Sequence, residues 1–308
     1  MKKNKTIFLA LIVMLLWGSL FPFVKLAYSA FQIDSGKPAN LLLFAGVRFL
    51  ICGGCISAYC FARSKEVIAL SWNKKQWSTI FLIGFFAVVL HYSFTYIGLA
   101  QTDSSEVAIL KQLGSLVFVA FSFLFFKEDK FSIAKLIGAF LGLGGIVALN
   151  FNSSTITLGV GEFLIIGASF CTIASNVITK KGGNKIDAVA LTGYSQLIGG
   201  GVLLVIGLLT GGNLGRISWK GVGIFTYICL ASIISYCLWY GIVKSSHLST
   251  LFIIKFTEPL FACVFGALLI NENIFTWEYL IAIILVVLGV CVGSLPIKIN
   301  RLKKKKTN

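Results

Sequence analysis

Charge is scarce in this chain. Charged side chains make up only 12% of the 308 residues, and acids are the rarer sign, with 11 Asp and Glu against 27 Lys and Arg. There are two histidines, and no paired carboxylates or His–Glu arrangement recur. That speaks against the catalytic cluster a membrane enzyme would need. No glycine-rich phosphate-binding loop is present, which speaks against direct drive by nucleotide hydrolysis. The alternating pattern of a membrane β-barrel is missing as well. A formal net charge of +16 invites a nucleic-acid reading. The basic residues, however, flank apolar runs and form no basic domain, so no nucleic-acid partner is expected.

What the chain has instead is apolar sequence: 57% hydrophobic residues and a mean hydropathy of +0.91. Apolar runs of about 20 residues read as membrane spans, and helices are the form that satisfies its own backbone in lipid. Ten spans are expected, at 7–30, 39–62, 78–100, 104–126, 131–150, 159–179, 188–210, 219–243, 249–270 and 277–295. The connections are too short for a soluble domain. The opening MKKNK and the run behind it resemble a signal peptide, but the run continues to about Ala30 and holds Trp17, Pro22 and Lys25. A retained first span fits better. All eight cysteines fall inside apolar runs, where free buried thiols pack well. Cys52 and Cys55 have CxxC spacing within a span, and no metal or redox role is expected of them.

The basic residues give the spans an orientation. With a cytoplasmic N-terminus, 20 of the 27 Lys and Arg fall in inside loops or tails and three (Lys37, Arg216, Lys220) outside. Four lie within spans: Lys25, Arg48, Lys111 and Lys255. A split of that size supports both the span count and the positive-inside orientation.

The chain also repeats itself. Aligning Lys111 with Lys255 sets KQLGSLVFVAFSFLFFKEDKFS against KFTEPLFACVFGALLINENIFT, an offset of 144 residues. Glu128 then meets Glu272, Phe131 meets Phe275 and Ser132 meets Thr276. The first spans match more loosely, with Trp17 opposite Phe170. Each repeat holds five spans, so an odd number inverts the second copy. The expected domains are residues 1–150 (helices 1–5), 159–296 (helices 6–10) and a basic cytoplasmic tail at 297–308. An all-α integral membrane protein of two inverted five-helix repeats follows, with its site near the midplane between them.

WGSLFPFVK in the first span, Arg48 in the second, and EPLFACVFGALLINENIFTW before an apolar tenth span together resemble the EamA family of the drug/metabolite transporter superfamily. The resemblance covers nearly the whole chain. It implies a ten-helix carrier built from two EamA repeats, a class that includes many bacterial exporters of amino acids and other metabolites. The chain departs from the family at Lys111 and Lys255, where a small or apolar residue is common. That departure speaks against a neutral drug as cargo.

A charge inside a span is costly and normally faces a cavity or a partner. By helix rise, Lys111 lies about 10 Å below the outer end of its span and Lys255 about 10 Å above the inner end of its own. The two ammonium groups therefore flank the midplane from opposite sides. They can present positive charge to an anionic group. The alternative is structural: Lys255 pairs with Glu258 one turn away, Lys111 with Glu106, or either snorkels to an interface. Arg48, near the midplane of span 2, can bind carboxylate or phosphate, or helix carbonyls. Glu258 can be a counter-ion or a proton carrier. Pro22 and Pro259 are candidate hinges. His91 is expected to make a packing hydrogen bond. Of the many aromatics, Trp17, Tyr92 and Trp239 are expected to touch the cargo beside Lys111, Lys255, Arg48 and Glu258.

The expected function is that of a secondary carrier in the bacterial inner membrane, with both termini cytoplasmic. It would move a small organic anion or amino acid by alternating access, and family analogy favours export. A flippase for lipid-linked substrates is the alternative, and a membrane enzyme the more remote one. The expected partners are a small-molecule substrate and membrane lipids, with the chain a monomer or homodimer. Neither a cofactor nor a metal is expected.

Overall fold

The computed structural model describes residues 3–64, 71–99, 101, 104–149, 159–270 and 277–293. Within them every regular element is helical: α1 (Lys3–Phe31), α2 (Pro38–Ser64), α3 (Lys74–Gly84), α4 (His91–Leu99), α5 (Ser104–Phe125), α6 (Ile133–Leu149), α7 (Val160–Gly182), α8 (Ala188–Leu209), α9 (Trp219–Ser245), α10 (Leu248–Ile254), α11 (Glu258–Ile270) and α12 (Trp277–Gly293). A π-helical segment, Phe85–Leu90, joins α3 to α4, and a 3-10 turn, Lys255–Thr257, joins α10 to α11. The twelve helices thus form ten rods among the described residues. Seven of the rods are long and apolar enough to cross a membrane, and three shorter apolar helices (Leu110–Phe125, Ile133–Ala148, Trp277–Gly293) accompany them.

Polar residues set the ends. Asn73 and Gln76 form a reciprocal capping box at α3, Asp187 accepts from Val189 and Ala190 N–H at α8, and Ser218 accepts from Gly221 N–H at α9. Each satisfies donors that a helix start leaves open. The break in the α10–α11 rod has a sequence cause. Pro259 has no N–H to give the Lys255 carbonyl, four residues back. Glu258 N–H bonds that carbonyl instead, in 3-10 geometry. Pro22 behaves differently, because α1 runs unbroken through it.

The rods pack with a regular exchange of partners. α2 lies along α8 and α6 along α12, while α1 packs on α9 and α11, and α7 packs on α4 and α5. Exchanging α1 with α7, α2 with α8, the α3–α4 rod with α9, α5 with the α10–α11 rod, and α6 with α12 leaves these partnerships unchanged. Glycines make the two self-paired contacts close. A Cβ on Gly200 of α8 would run into the α2 backbone at Phe49 and Leu50, and one on Gly138 of α6 would sit 2.6 Å from the Gly289 carbonyl of α12. Small residues of this kind let helix axes approach where lipid supplies no hydrophobic drive.

The loops fall at two ends. At one, Arg216 N–H bonds Phe31 O, and Ser218 Oγ bonds Ala30 O. At the other, Gln76 bonds Lys185 O, Lys244 bonds Ile186 O, and Asp129 bonds Ser249. Basic side chains crowd this second end, where Lys74, Lys75, Lys127, Lys130, Lys180, Lys181, Lys185 and Lys244 sit on or beside its loops. The 271–276 loop, paired in sequence with the KEDK loop, lies outside the described residues.

Candidate functional site

A cavity of about 430 Å³ penetrates the bundle between the two halves. Exposed Lys25 and Ser35 line it at the end that carries the Phe31–Pro38 loop. Its far wall is aromatic. Trp239, buried on α9, donates Nε1–H to Asn176 Oδ1 of α7 at 2.8 Å. The Trp17 ring stands 5.1 Å from that of Trp239 and 5.3 Å from that of Tyr236. Tyr92 and Tyr236 share a hydroxyl hydrogen bond of 3.0 Å.

All seven residues expected to touch the cargo line this one cavity: Trp17, Arg48, Tyr92, Lys111, Trp239, Lys255 and Glu258. The two lysines expected at mirrored depths therefore share one chamber, but their surroundings differ. Lys255 Nζ lies 3.3 Å from Glu258 Oε2 and 5.6 Å from the centre of the Trp17 ring. The Lys255–Glu258 contact is an ion pair without hydrogen-bond alignment, since Glu258 Oε2 accepts no hydrogen bond. Lys111 Nζ rests 5.4 Å from the centre of the Phe21 ring and has no ion pair with a described carboxylate. The Glu106 side chain lies outside the described residues.

Arg48 is 3% exposed. Its Nε and Nη2 both donate to Ser232 Oγ of α9, at 3.1 and 2.7 Å, and the Ser232 hydroxyl donates in turn to Ile228 O at 2.5 Å. Arg48 thus bridges the two halves through a neutral hydroxyl. His91 lines the cavity and also makes the expected packing hydrogen bonds, 3.0 Å to Ala168 O and 3.1 Å to Thr172 Oγ1. Among the other aromatics, Phe21, Tyr96 and Tyr240 line the chamber. Phe23 packs instead on Tyr227 at 4.1 Å, and Tyr194 on Trp72 at 4.8 Å. Pro259 stands at the break that carries Lys255 and Glu258. All eight cysteines are free, with Cys52 buried and Cys55 exposed. Only Cys52 of the CxxC pair is packed inside the bundle.

Several lining residues were not singled out from sequence. Thr172, Ser175 and Asn176 recur at helical spacing on α7, a polar stripe that the sequence does display. Tyr28 and Thr95 also line the chamber, and their hydroxyls, like Trp17 Nε1, are buried and have no hydrogen-bond partner.

Opposite the mouth, contacts between the halves close the bundle. Asp129, 1% exposed, follows α5. Its carboxylate accepts from Lys135 and reaches across to the start of α10, where Ser249 N–H and Oγ–H donate at 3.3 and 2.7 Å. An acceptor from one half therefore caps a helix of the other. Lys180 bonds Ser246 O within the second half and lies 3.9 Å from Glu128 of the first, and Thr6 meets Ser246 across the halves at 3.3 Å. Burial alone would raise the Asp129 carboxyl pKa, but the Lys135 and Ser249 hydrogen bonds outweigh it and hold the pKa below the usual carboxylate value.

Comparison with known proteins gives the family and the fold. The model of the EamA-like transporter family matches the chain twice, over residues 4–151 and 159–295. A Synechocystis protein named as an uncharacterized transporter is 26% identical over 231 residues, covering 68% of each chain. Another uncharacterized transporter, from Acidianus ambivalens, is 27% identical over 266 residues, 86% of this chain and 95% of that one. One protein crystal structure superposes with a TM-score of 0.76 at 16% identity, covering 94% of this chain and 96% of the other, which shows a shared fold.

Proposed function

The chain belongs to the EamA-like transporter family, and from that premise we propose that it is a secondary carrier for a small organic anion or amino acid. Membership makes it a multi-pass membrane transporter. The ten rods act as ten spans in two inverted repeats, and the carrier works by alternating access. The cargo binds between the halves, against Lys111, Lys255 and Arg48, with Glu258, Trp17, Tyr92 and Trp239 around it. Pro259, and with it Pro22, serves the movement of the helices. The protein sits in a bacterial inner membrane with both termini in the cytoplasm, and the family analogy favours export.

The observation that carries the proposal is the convergence of Lys111 and Lys255 on one chamber. They come from corresponding places in the two repeats, and the chamber lies between them, as the inverted-repeat arrangement requires. Orientation rests on the crowding of basic residues at the closed end. Under that orientation the mouth faces outward, and the Asp129–Ser249 contact belongs to the cytoplasmic gate.

A metabolite library screened by thermal shift tests the site. Anionic compounds are expected to raise the melting temperature of the purified wild-type protein and to lose that effect on Lys255→Ala. Shifts of equal size on the variant would remove Lys255 from the site.

A further inference from the structure

Resting on the carrier reading above, we infer that the cargo of this cavity is a small organic dianion. The chamber wall holds four cations, Lys25 at the exposed mouth and Arg48, Lys111 and Lys255 within the bundle, and one carboxylate, Glu258. Glu258 lies beside Lys255 at 3.3 Å. Among the described residues, neither Arg48 nor Lys111 has a carboxylate within ion-pair distance. Arg48 gives two of its N–H groups to the neutral Ser232 hydroxyl, and Lys111 rests over the Phe21 ring. Away from the solvent-exposed mouth, two positive charges, on Arg48 and Lys111, therefore stand without a carboxylate in one apolar-walled chamber, where charge is poorly screened.

Cargo chemistry follows from that balance. A monoanion neutralises one of the two cations and leaves the other unpaired. A zwitterion brings a further cation into a chamber that already has an excess. A dianion neutralises both, and Lys255, its charge balanced by Glu258, still has N–H groups to donate to the same cargo. Arg48 reaches in from α2 and Lys111 from α5, so the two charges of the cargo meet separate elements. The guanidinium fork suits a planar carboxylate or a phosphate, and the ammonium acts as a point charge.

Neutral groups complete the match. Trp17 Nε1–H and the Tyr28 and Thr95 hydroxyls, buried and unpartnered, line the same chamber and can meet the remaining cargo oxygens. The wall of Trp17, Tyr236 and Trp239 takes the carbon skeleton. A volume of about 430 Å³ holds a compound of a few carbons carrying two negative charges.

Uptake into proteoliposomes of the purified full chain tests the inference. Labelled succinate and glycerol 3-phosphate probe the two sources of a dianion, lactate serves as the monoanion and glutamine as the zwitterion. At least one dianion is expected to enter about tenfold or more faster than lactate and glutamine, and the faster of the two identifies whether the two charges sit on two carboxylates or on one phosphate. Arg48→Lys and Lys111→Gln, each checked for monodisperse elution, should each cut that uptake about tenfold and narrow the preference over lactate. Uptake of lactate or glutamine with both dianions excluded would overturn the dianion and leave the carrier standing. Dianion uptake unchanged in both variants would overturn its placement at Arg48 and Lys111. Absence of uptake of all four by folded protein would overturn the inference and the carrier reading together.

Discussion

Lys255 Nζ lies 3.3 Å from Glu258 Oε2 across the 3-10 turn that divides the α10–α11 rod. The pair lies in the cavity wall, where Pro259 has broken the helix. The break turns this stretch of backbone toward the chamber and brings both charges to its wall.

Removing one partner exposes the cost of the other. Glu258→Gln is expected to destabilise the protein by up to about 3 kcal/mol, the low end for a buried pair because both groups border the cavity. The double variant Glu258→Gln, Lys255→Met should recover at least half of that loss. Melting curves in detergent read both values. Additive losses in the double variant would mean that the pair has no coupling.

Asp129 provides a pH-dependent contact at the closed end. Its carboxyl pKa is depressed in the folded protein, so the stability it contributes is fully present above the unfolded-state value. That stability is lost as the pH falls through the depressed one. Asp129→Asn should cost about 1–3 kcal/mol at neutral pH, through the lost ion pair with Lys135 and the weakened α10 cap. The gap between variant and wild type should close in strongly acidic buffer, below about pH 3.9. A gap that stays constant across the acid range would show that the carboxylate's charge is irrelevant.

Close helix approach makes a third expectation. Gly200→Leu pushes a side chain into the α2 backbone and should cost about 1–3 kcal/mol or more by overpacking. Gly241 on α9 has open space around its Cβ position. Gly241→Ala should therefore be neutral or stabilise by up to about 1 kcal/mol. Comparing the two melting temperatures separates packing at α2–α8 from a general intolerance of glycine replacement.

Much of this fold could be read in the residues. The apolar runs located the rods to within a few residues, because lipid-length hydrophobicity is a composition signal that tertiary contacts do not blur. The Lys111–Lys255 correspondence also showed, since a charge in an apolar run stands out. The π-helical segment Phe85–Leu90 did not show. FFAVVL contains no breaker, and the widening there coincides with close packing on α8, where a Cβ on Gly199 would meet Val88. Arg48 was visible as an intramembrane charge, but its partner Ser232, 184 residues away, was not. One serine among many carries no sign of the contact that only folding creates. The shared chamber was expected from the repeat. The asymmetry within it, Lys255 paired and Lys111 over a ring, depended on side-chain placement.

Orientation is open to labelling. With Cys55 and Cys291 replaced by alanine, a membrane-impermeant maleimide should label Gly36→Cys in intact cells. Lys185→Cys should label only after permeabilisation. The reverse pattern would invert the assignment of the two ends, and labelling of both in intact cells would contradict the opposed loops.

The central claim is that one lysine from each half holds the same cargo. Its most direct test is proteoliposome uptake of the labelled compound that most raises the wild-type melting temperature, compared among wild type, Lys111→Met and Lys255→Met at equal folded protein. Both variants are predicted to fall to one tenth of the wild-type rate or less. Wild-type rates in both would contradict the claim.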